Sequence, residues 1–308
     1  MGKIVYYHSL PQSFESKLIQ FFLGLFGMKK QMERKIINNG YVKEPASIPK
    51  SMLRKFNVEI NEFEGRKAWA LSPKKSESNT TILYLHGGAY YANITNLHWQ
   101  FIEQLLNSKS STFIVPDYPL APESTCKDAH QFLDAVYAKL ISDYPSNQII
   151  FMGDSAGAGL ALGFAQKIKS EGIKQPEQII LLSPWLDVSM SNPEIDKVEG
   201  FDKILSVKGL RIAGKNFAGD FDVTDYRVSP IYGDFCNLGR ISIFIGTNDI
   251  LIADAQKFKG LMEGQHIDIN YFEYPKMFHD WMIVTNINES KDVIGKVVQI
   301  IRSSLDWQ

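Results

Sequence analysis

A chain of 308 residues with 44% hydrophobic and 22% charged residues can bury a large core, and its length suits one large α/β domain carrying an elaboration. Lys and Arg number 33 against 34 Asp and Glu, and no basic cluster is interleaved with aromatics, so the composition excludes a nucleic-acid partner. The two cysteines, Cys126 and Cys236, show neither metal-ligand spacing nor a disulfide framework, which suits a reducing, cytoplasmic compartment.

The first apolar run, residues 18–28, is too short to span a bilayer. Polar residues 11–17 precede it and Lys29-Lys30 follow it, which is not the order of a signal peptide, so no integral membrane segment is expected. The stronger reading is an amphipathic cap helix; Lys17, Lys29 and Lys30 around it also suit a membrane surface. Extended runs at 58–63 and 67–71, joined at Glu64-Gly65-Arg66, predict an antiparallel hairpin, and a polar connection covers 72–80. Strand-like runs at 81–85, 112–116, 148–152, 178–182, 241–245 and 267–274 then alternate with helical patterns at 97–109, 127–142, 157–171, 253–263 and 289–304. Such alternation predicts a mostly parallel sheet covered by helices on both faces. Two stretches break the rhythm, 1–57 and 183–234, and both are read as parts of a lid. No internal repeat is present, which excludes solenoids and propellers.

Gly153-Asp154-Ser155-Ala156-Gly157 places a serine between a strand and a small-residue helix, where a sharp turn would project its hydroxyl clear of both elements. Serine needs a base to act as a nucleophile, and the base needs a carboxylate to fix its tautomer. Of six histidines, His279 lies in a loop after the strand ending at Tyr274, on the same carboxyl edge as Ser155. His8, His98, His130 and His266 read as structural or surface residues. Asp249 follows the strand at 241–245 and falls between serine and histidine in chain order, so it is the expected acid, with Asp254 as runner-up. Asp154 reads as an acceptor that stabilises the turn. His86-Gly87-Gly88-Ala89 follows the strand at 81–85; the N–H groups of Gly87, Gly88 and Ala156 are the expected oxyanion donors, and His86 would orient their loop.

These segments, with Asp117-Tyr118-Pro119-Leu120-Ala121-Pro122-Glu123 and Ser183-Pro184-Trp185-Leu186-Asp187, occur in an order that resembles the hormone-sensitive lipase-like branch of the α/β-hydrolase fold over residues 56–305. The resemblance implies a carboxylesterase acting on short- to medium-chain acyl esters through Ser155, His279 and Asp249, without a cofactor or metal. It also implies an N-terminal helical cap, here residues 1–57, over a catalytic domain of 58–308, within which 183–234 is read as partly a cap or lid insertion. Three positions depart from the pattern: Ala89 replaces the third glycine of the donor loop, Pro119 replaces an arginine, and Asp280 follows His279 where a small or apolar residue is usual. Tyr90, Tyr91 and Phe201 are the expected pocket aromatics, and residues 18–26 an apolar lid that limits acyl length. An amide in place of an ester stays open, because the pocket reads the leaving group. Family members pair through the last strand and helix, which makes 267–274 and 293–305 a candidate homodimer face.

Overall fold

In the computed structural model, residues 3–75, 79–108 and 111–303 are described. Nine strands form a single sheet: β1 (Val5–Tyr7), β2 (Phe56–Phe63), β3 (Arg66–Pro73), β4 (Thr80–Leu85), β5 (Thr112–Pro116), β6 (Gln148–Asp154), β7 (Gln178–Leu182), β8 (Arg240–Gly246) and β9 (Asn270–Tyr274). Their order is β1-β9-β8-β7-β6-β4-β5-β3-β2, parallel except where β3 meets β2 and β5. The helices are α1 (Phe14–Leu25), α2 (Met28–Ile37), α3 (Lys50–Lys55), α4 (Asn96–Ser108), α5 (Cys126–Asp143), α6 (Ser155–Ser170), α7 (Ile195–Val198), α8 (Val207–Ala218), α9 (Ile252–Gly264) and α10 (Asn288–Ser303).

Both faces of the sheet are buried, which is why its strands read as continuous apolar runs and not as alternating ones. Leu83, Phe151, Leu181 and Ile243 point to the layer that holds α5, α6, α8 and α9. Their chain neighbours Ile82, Ile150, Ile180 and Phe244 point to the layer that holds α3, α4 and α10. The register sets the carboxyl edge: Leu85 pairs with Gly153, Leu182 with Phe244, and Gly246 with Tyr274. The loops after β4, β6, β8 and β9 therefore leave the sheet at the same edge, with β7 between the two pairs.

The predicted polar connection is shorter than expected, since β3 runs to Pro73 and β4 starts at Thr80; within it, residues 76–78 lie outside the described residues, as do 109 at the end of the helix expected at 97–109, 304 at the end of that expected at 289–304, and 304–305 of the expected homodimer face. A larger difference concerns the N-terminus. Residues 5–7, expected in the cap, pair in parallel with β9, and Tyr6 packs on Phe272 while His8 stacks on Tyr274. Three residues are too few for a period-two pattern to register, so this strand was invisible in the sequence. The last predicted strand is accordingly not an open edge, and the homodimer face expected at 267–274 is covered by the chain's own β1.

The two stretches outside the α/β rhythm meet each other. Gly27, left-handed at φ +63°, breaks the helical path between α1 and α2. Packing of α2 on α8 is close enough that a Cβ on Gly209 would lie 3.3 Å from Glu33 Cα, and Ser206 Oγ donates to Glu33 Oε2 at 2.6 Å. Helix α1 is tied to α10 through one carboxylate: Glu289 accepts from Ser13 N–H at 2.7 Å, Ser13 Oγ at 2.8 Å and Ser16 Oγ at 3.0 Å. Among the described residues no helix is long and apolar enough to cross a membrane.

Burial alone would raise the Glu289 pKa, but the backbone and hydroxyl donors around it hold it below the ordinary value. A depressed folded pKa means the contribution is present above the usual carboxylate range and is lost as pH falls through it. Glu289→Ala removes a charged acceptor worth about 1.5–3 kcal/mol and should release α1 first. Limited proteolysis should then cut within residues 13–26 at a pH where the wild type resists; equal resistance would contradict this anchor.

Candidate active site

Ser155 is the first residue of α6 and has φ +49°, a left-handed angle that a serine adopts at a cost of about 1–2 kcal/mol. Close packing enforces it. A Cβ on Gly157 would lie 2.1 Å from Leu85 O, and one on Gly153 2.6 Å from Gly157 C, so β4 and the start of α6 approach through backbone alone. The flanking glycines serve this approach, and the positive φ falls on the serine itself.

The loops after β8 and β9 are stitched together by Thr247 N–H to Tyr274 O, Asn248 N–H to Met277 O and Lys276 N–H to Thr247 Oγ1. Gly246 permits this, because a Cβ there would lie 2.2 Å from Met277 O. The stitching brings Asp249 and His279 together: Asp249 Oδ2 lies 2.8 Å from His279 Nδ1, and His279 Nε2 lies 2.9 Å from Ser155 Oγ. All three side chains are buried. An ionised Asp249 fixes the ring proton on Nδ1, which leaves Nε2 to accept from the serine hydroxyl. The arrangement can deprotonate Ser155 and stabilise the resulting imidazolium.

Asp280, itself left-handed at φ +53°, places Oδ2 3.1 Å from the same His279 Nε2. Its Oδ1 has no hydrogen-bond partner among the described residues. Burial pushes the Asp280 carboxyl up to about 6, against the pull of His279, with the charges of Asp154 and Asp249 adding to the rise. For His279, burial works to lower the pKa, but the charges of Asp280 and then Asp249 outweigh it and hold the imidazole well above its ordinary value.

Asp154 gathers the donor loop. Its carboxylate accepts from Tyr84 OH at 2.5 Å, Gly87 N–H at 2.9 Å and His98 Nε2 at 3.1 Å. Thr95 N–H donates to His98 Nδ1, so the ring proton sits on Nε2 and faces Asp154. The Gly87 expectation needs correction: its N–H is committed to Asp154, and a Cβ there would lie 2.3 Å from Asp154 Oδ2, so this glycine serves the close approach of a carboxylate and is not available to an oxyanion. Gly88 and Ala89 are the loop residues that border the cavity. Ala89 has φ +55°, the angle that the glycine of the resembling family would adopt freely. His86 stacks on Tyr118 at 4.4 Å with Nδ1 2.8 Å from Gly87 O; burial lowers its pKa to about 4, so it is neutral and positions the loop. Asp117 is held by Asn93 at 2.6 Å and Arg66 at 3.3 Å, and Tyr118 OH donates to His86 O, so the loop that carries Pro119 is anchored without the usual arginine.

A cavity of about 320 Å³ opens over Ser155 and His279, within the size range of small-molecule sites. Its apolar walls come from Ile19, Leu23, Met32 and Tyr41 on one side, Ile204 and Leu205 on another, and Phe278 and Ile283 near the histidine. The three expected pocket aromatics are elsewhere. Tyr90 is fully buried and stacks on Phe217 at 3.5 Å and Trp185 at 5.5 Å, because the positive φ at Ala89 and Tyr90 turns its ring into the core. Tyr91 accepts from Asn216 and lies under Lys43, and Phe201 projects into solvent.

A profile of the alpha/beta hydrolase fold family matches residues 82–283, which contain Ser155, Asp249, His279 and the loop after β4. The chain belongs to the alpha/beta hydrolase family. This hydrolase is similar to an esterase of Acinetobacter venetianus, 28% identical over 234 residues that make up 74% of this chain and 77% of the relative. An acetyl-hydrolase of Streptomyces hygroscopicus is 27% identical over 67% of this chain and 69% of its own length. Among solved structures, a hormone-sensitive lipase from a metagenome library has the same fold, with a TM-score of 0.79 at 21% identity over 95% of this chain and 99% of that one.

Two residues of this hydrolase's site were not singled out by the sequence. His98, read there as structural or surface, borders the cavity and holds Asp154. Asp202 accepts from Ile250 N–H at 3.0 Å and from Ile204 and Leu205 N–H at 2.8 Å each, so the 183–234 stretch holds the loop that carries Asp249. Burial and the charge of Asp249 push its carboxyl up to about 6. The Asp280 charge favours the imidazolium, so Asp280→Asn should lower the His279 pKa, read from the ring Hε1 shift in an NMR titration. An unchanged midpoint would mean that the two groups do not share a proton.

Proposed function

We propose that this hydrolase is a carboxylesterase of short- to medium-chain acyl esters, with Ser155 as nucleophile, His279 as base and Asp249 as its orienting acid. The observation that carries this reading is the unbroken chain Asp249 Oδ2, His279 and Ser155 Oγ at 2.8 and 2.9 Å beneath an apolar cavity. In the first half-reaction, Ser155 Oγ bonds to the ester carbonyl carbon as its proton passes to His279 Nε2. The carbon–oxygen bond to the alcohol then breaks, and the Nε2 proton leaves with the alcohol. Water repeats the sequence on the acyl-serine and releases the acid. The tetrahedral oxygen would be met by the N–H groups of Gly88, Ala89 and Ala156, the last belonging to the residue after the nucleophile. The names of the esterase and acetyl-hydrolase relatives support ester cleavage.

Residues 14–37 and the 183–234 stretch act together as the cap, since both contribute walls to the cavity; residues 5–7 and 56–57 belong instead to the sheet. The wall of Ile19, Leu23 and Met32 sets the apolar character of the acyl site and limits its depth. Asp280 adds a charge beside the base, so turnover should rise with pH through the His279 midpoint, because only the neutral imidazole can accept the serine proton.

Ser155→Ala should lower turnover of p-nitrophenyl butyrate by roughly four orders of magnitude or more, with the thermal midpoint held within a few degrees. Retained turnover would remove the serine from the mechanism.

A further inference from the structure

Helix α1 is apolar on two faces. Ile19 and Leu23 line the cavity, while Phe14, Leu18, Phe21, Phe22 and Leu25 turn away from it and the C-cap residue Phe26 stays outside its lining, each between 41% and 74% exposed. Their spacing of four, seven, eight and eleven residues from Phe14 puts the helical ones on one stripe, and Phe22 contacts both Phe21 and Phe26 through its ring. A helix that served solely as a roof would present polar residues outward. A second feature adjoins this stripe. Gly24, Leu25 and Gly27 border an open pocket with Lys29, Lys30 and Lys203, and Phe201, 60% exposed, projects from the same 199–203 segment. Lys29 pairs with Glu199, and Asp202 turns its carboxylate to backbone N–H groups, while Lys30 and Lys203 have no ion pair among the described residues.

We infer that the outer face of α1 docks on an anionic phospholipid surface, its phenylalanines entering the acyl region and the Lys29, Lys30 and Lys203 pocket receiving the headgroup phosphate. Bulky apolar residues beside basic ones are the pattern of a helix that lies in a lipid interface. Charge selects this occupant over a second copy of the chain, because two-fold pairing through the stripe would set one lysine rim against the other, whereas anionic lipid neutralises both. The same helix walls the cavity with Ile19 and Leu23, so the docked surface and the cavity over Ser155 share one element.

The test uses the full chain and sedimentation with vesicles of phosphatidylcholine alone or of equimolar phosphatidylcholine and phosphatidylglycerol. The protein should pellet with the phosphatidylglycerol vesicles, less so as salt rises, and hardly with phosphatidylcholine. Phe21→Ser with Phe26→Ser, and separately Lys30→Glu with Lys203→Glu, should each weaken binding at least tenfold. Turnover of soluble p-nitrophenyl butyrate by the phenylalanine variant should stay at the wild-type level, since neither side chain borders the cavity. Absence of vesicle binding, binding indifferent to lipid charge, or a concentration-dependent dimer that the phenylalanine changes dissolve would each overturn the inference. Binding is scored without turnover, so this result stands or falls apart from the esterase reading.

Discussion

The imidazole of His279 carries two hydrogen bonds that join three loops of the sheet's carboxyl edge, and much of the chain is arranged so that both can form at once. Neither bond tolerates a shift of an ångström, so the loops need rigid support. Backbone contact at Gly157 and Gly153 fixes Ser155, and the approach of Gly246 to Met277 fixes Asp249 against His279. Asp154 does the equivalent for the loop after β4 by drawing Tyr84, Gly87 and His98 onto one carboxylate. The site is thus a product of sheet register: five neighbouring strands, β9, β8, β7, β6 and β4, end level, and short loops do the rest.

Residues whose position follows from strand ends were legible in the sequence. Ser155, Asp249 and His279 each stand just past an apolar run, and in a parallel sheet that location alone places them at one edge. Fold class was legible for the same reason, because alternation of buried strands with helices leaves few other layouts. The α/β-hydrolase resemblance agrees with the family profile over residues 82–283.

What the sequence hid depends on side-chain direction or on contacts between distant segments. Tyr90 adjoins the donor loop, yet consecutive left-handed residues rotate it into the core against Phe217. Gly87 looked like a donor because glycine allows approach, but the approaching group is the carboxylate of Asp154. His98 sits inside an ordinary helical pattern, and nothing local shows that its ring meets a residue 56 positions away. Asp202 lies in an irregular stretch, where its three backbone partners have no period to reveal them. The strand β1 gains its stability from pairing with β9, far along the chain, so local pattern could not announce it.

The proposed chemistry requires His279 to make Ser155 nucleophilic. Reaction with a fluorophosphonate, followed by peptide mass mapping in the wild type and in His279→Ala, tests that directly. A single adduct on the Ser155 peptide, formed rapidly in the wild type and slowed by several orders of magnitude without the imidazole, is the expected result. Labelling of another serine, or equal rates in the two proteins, would contradict it.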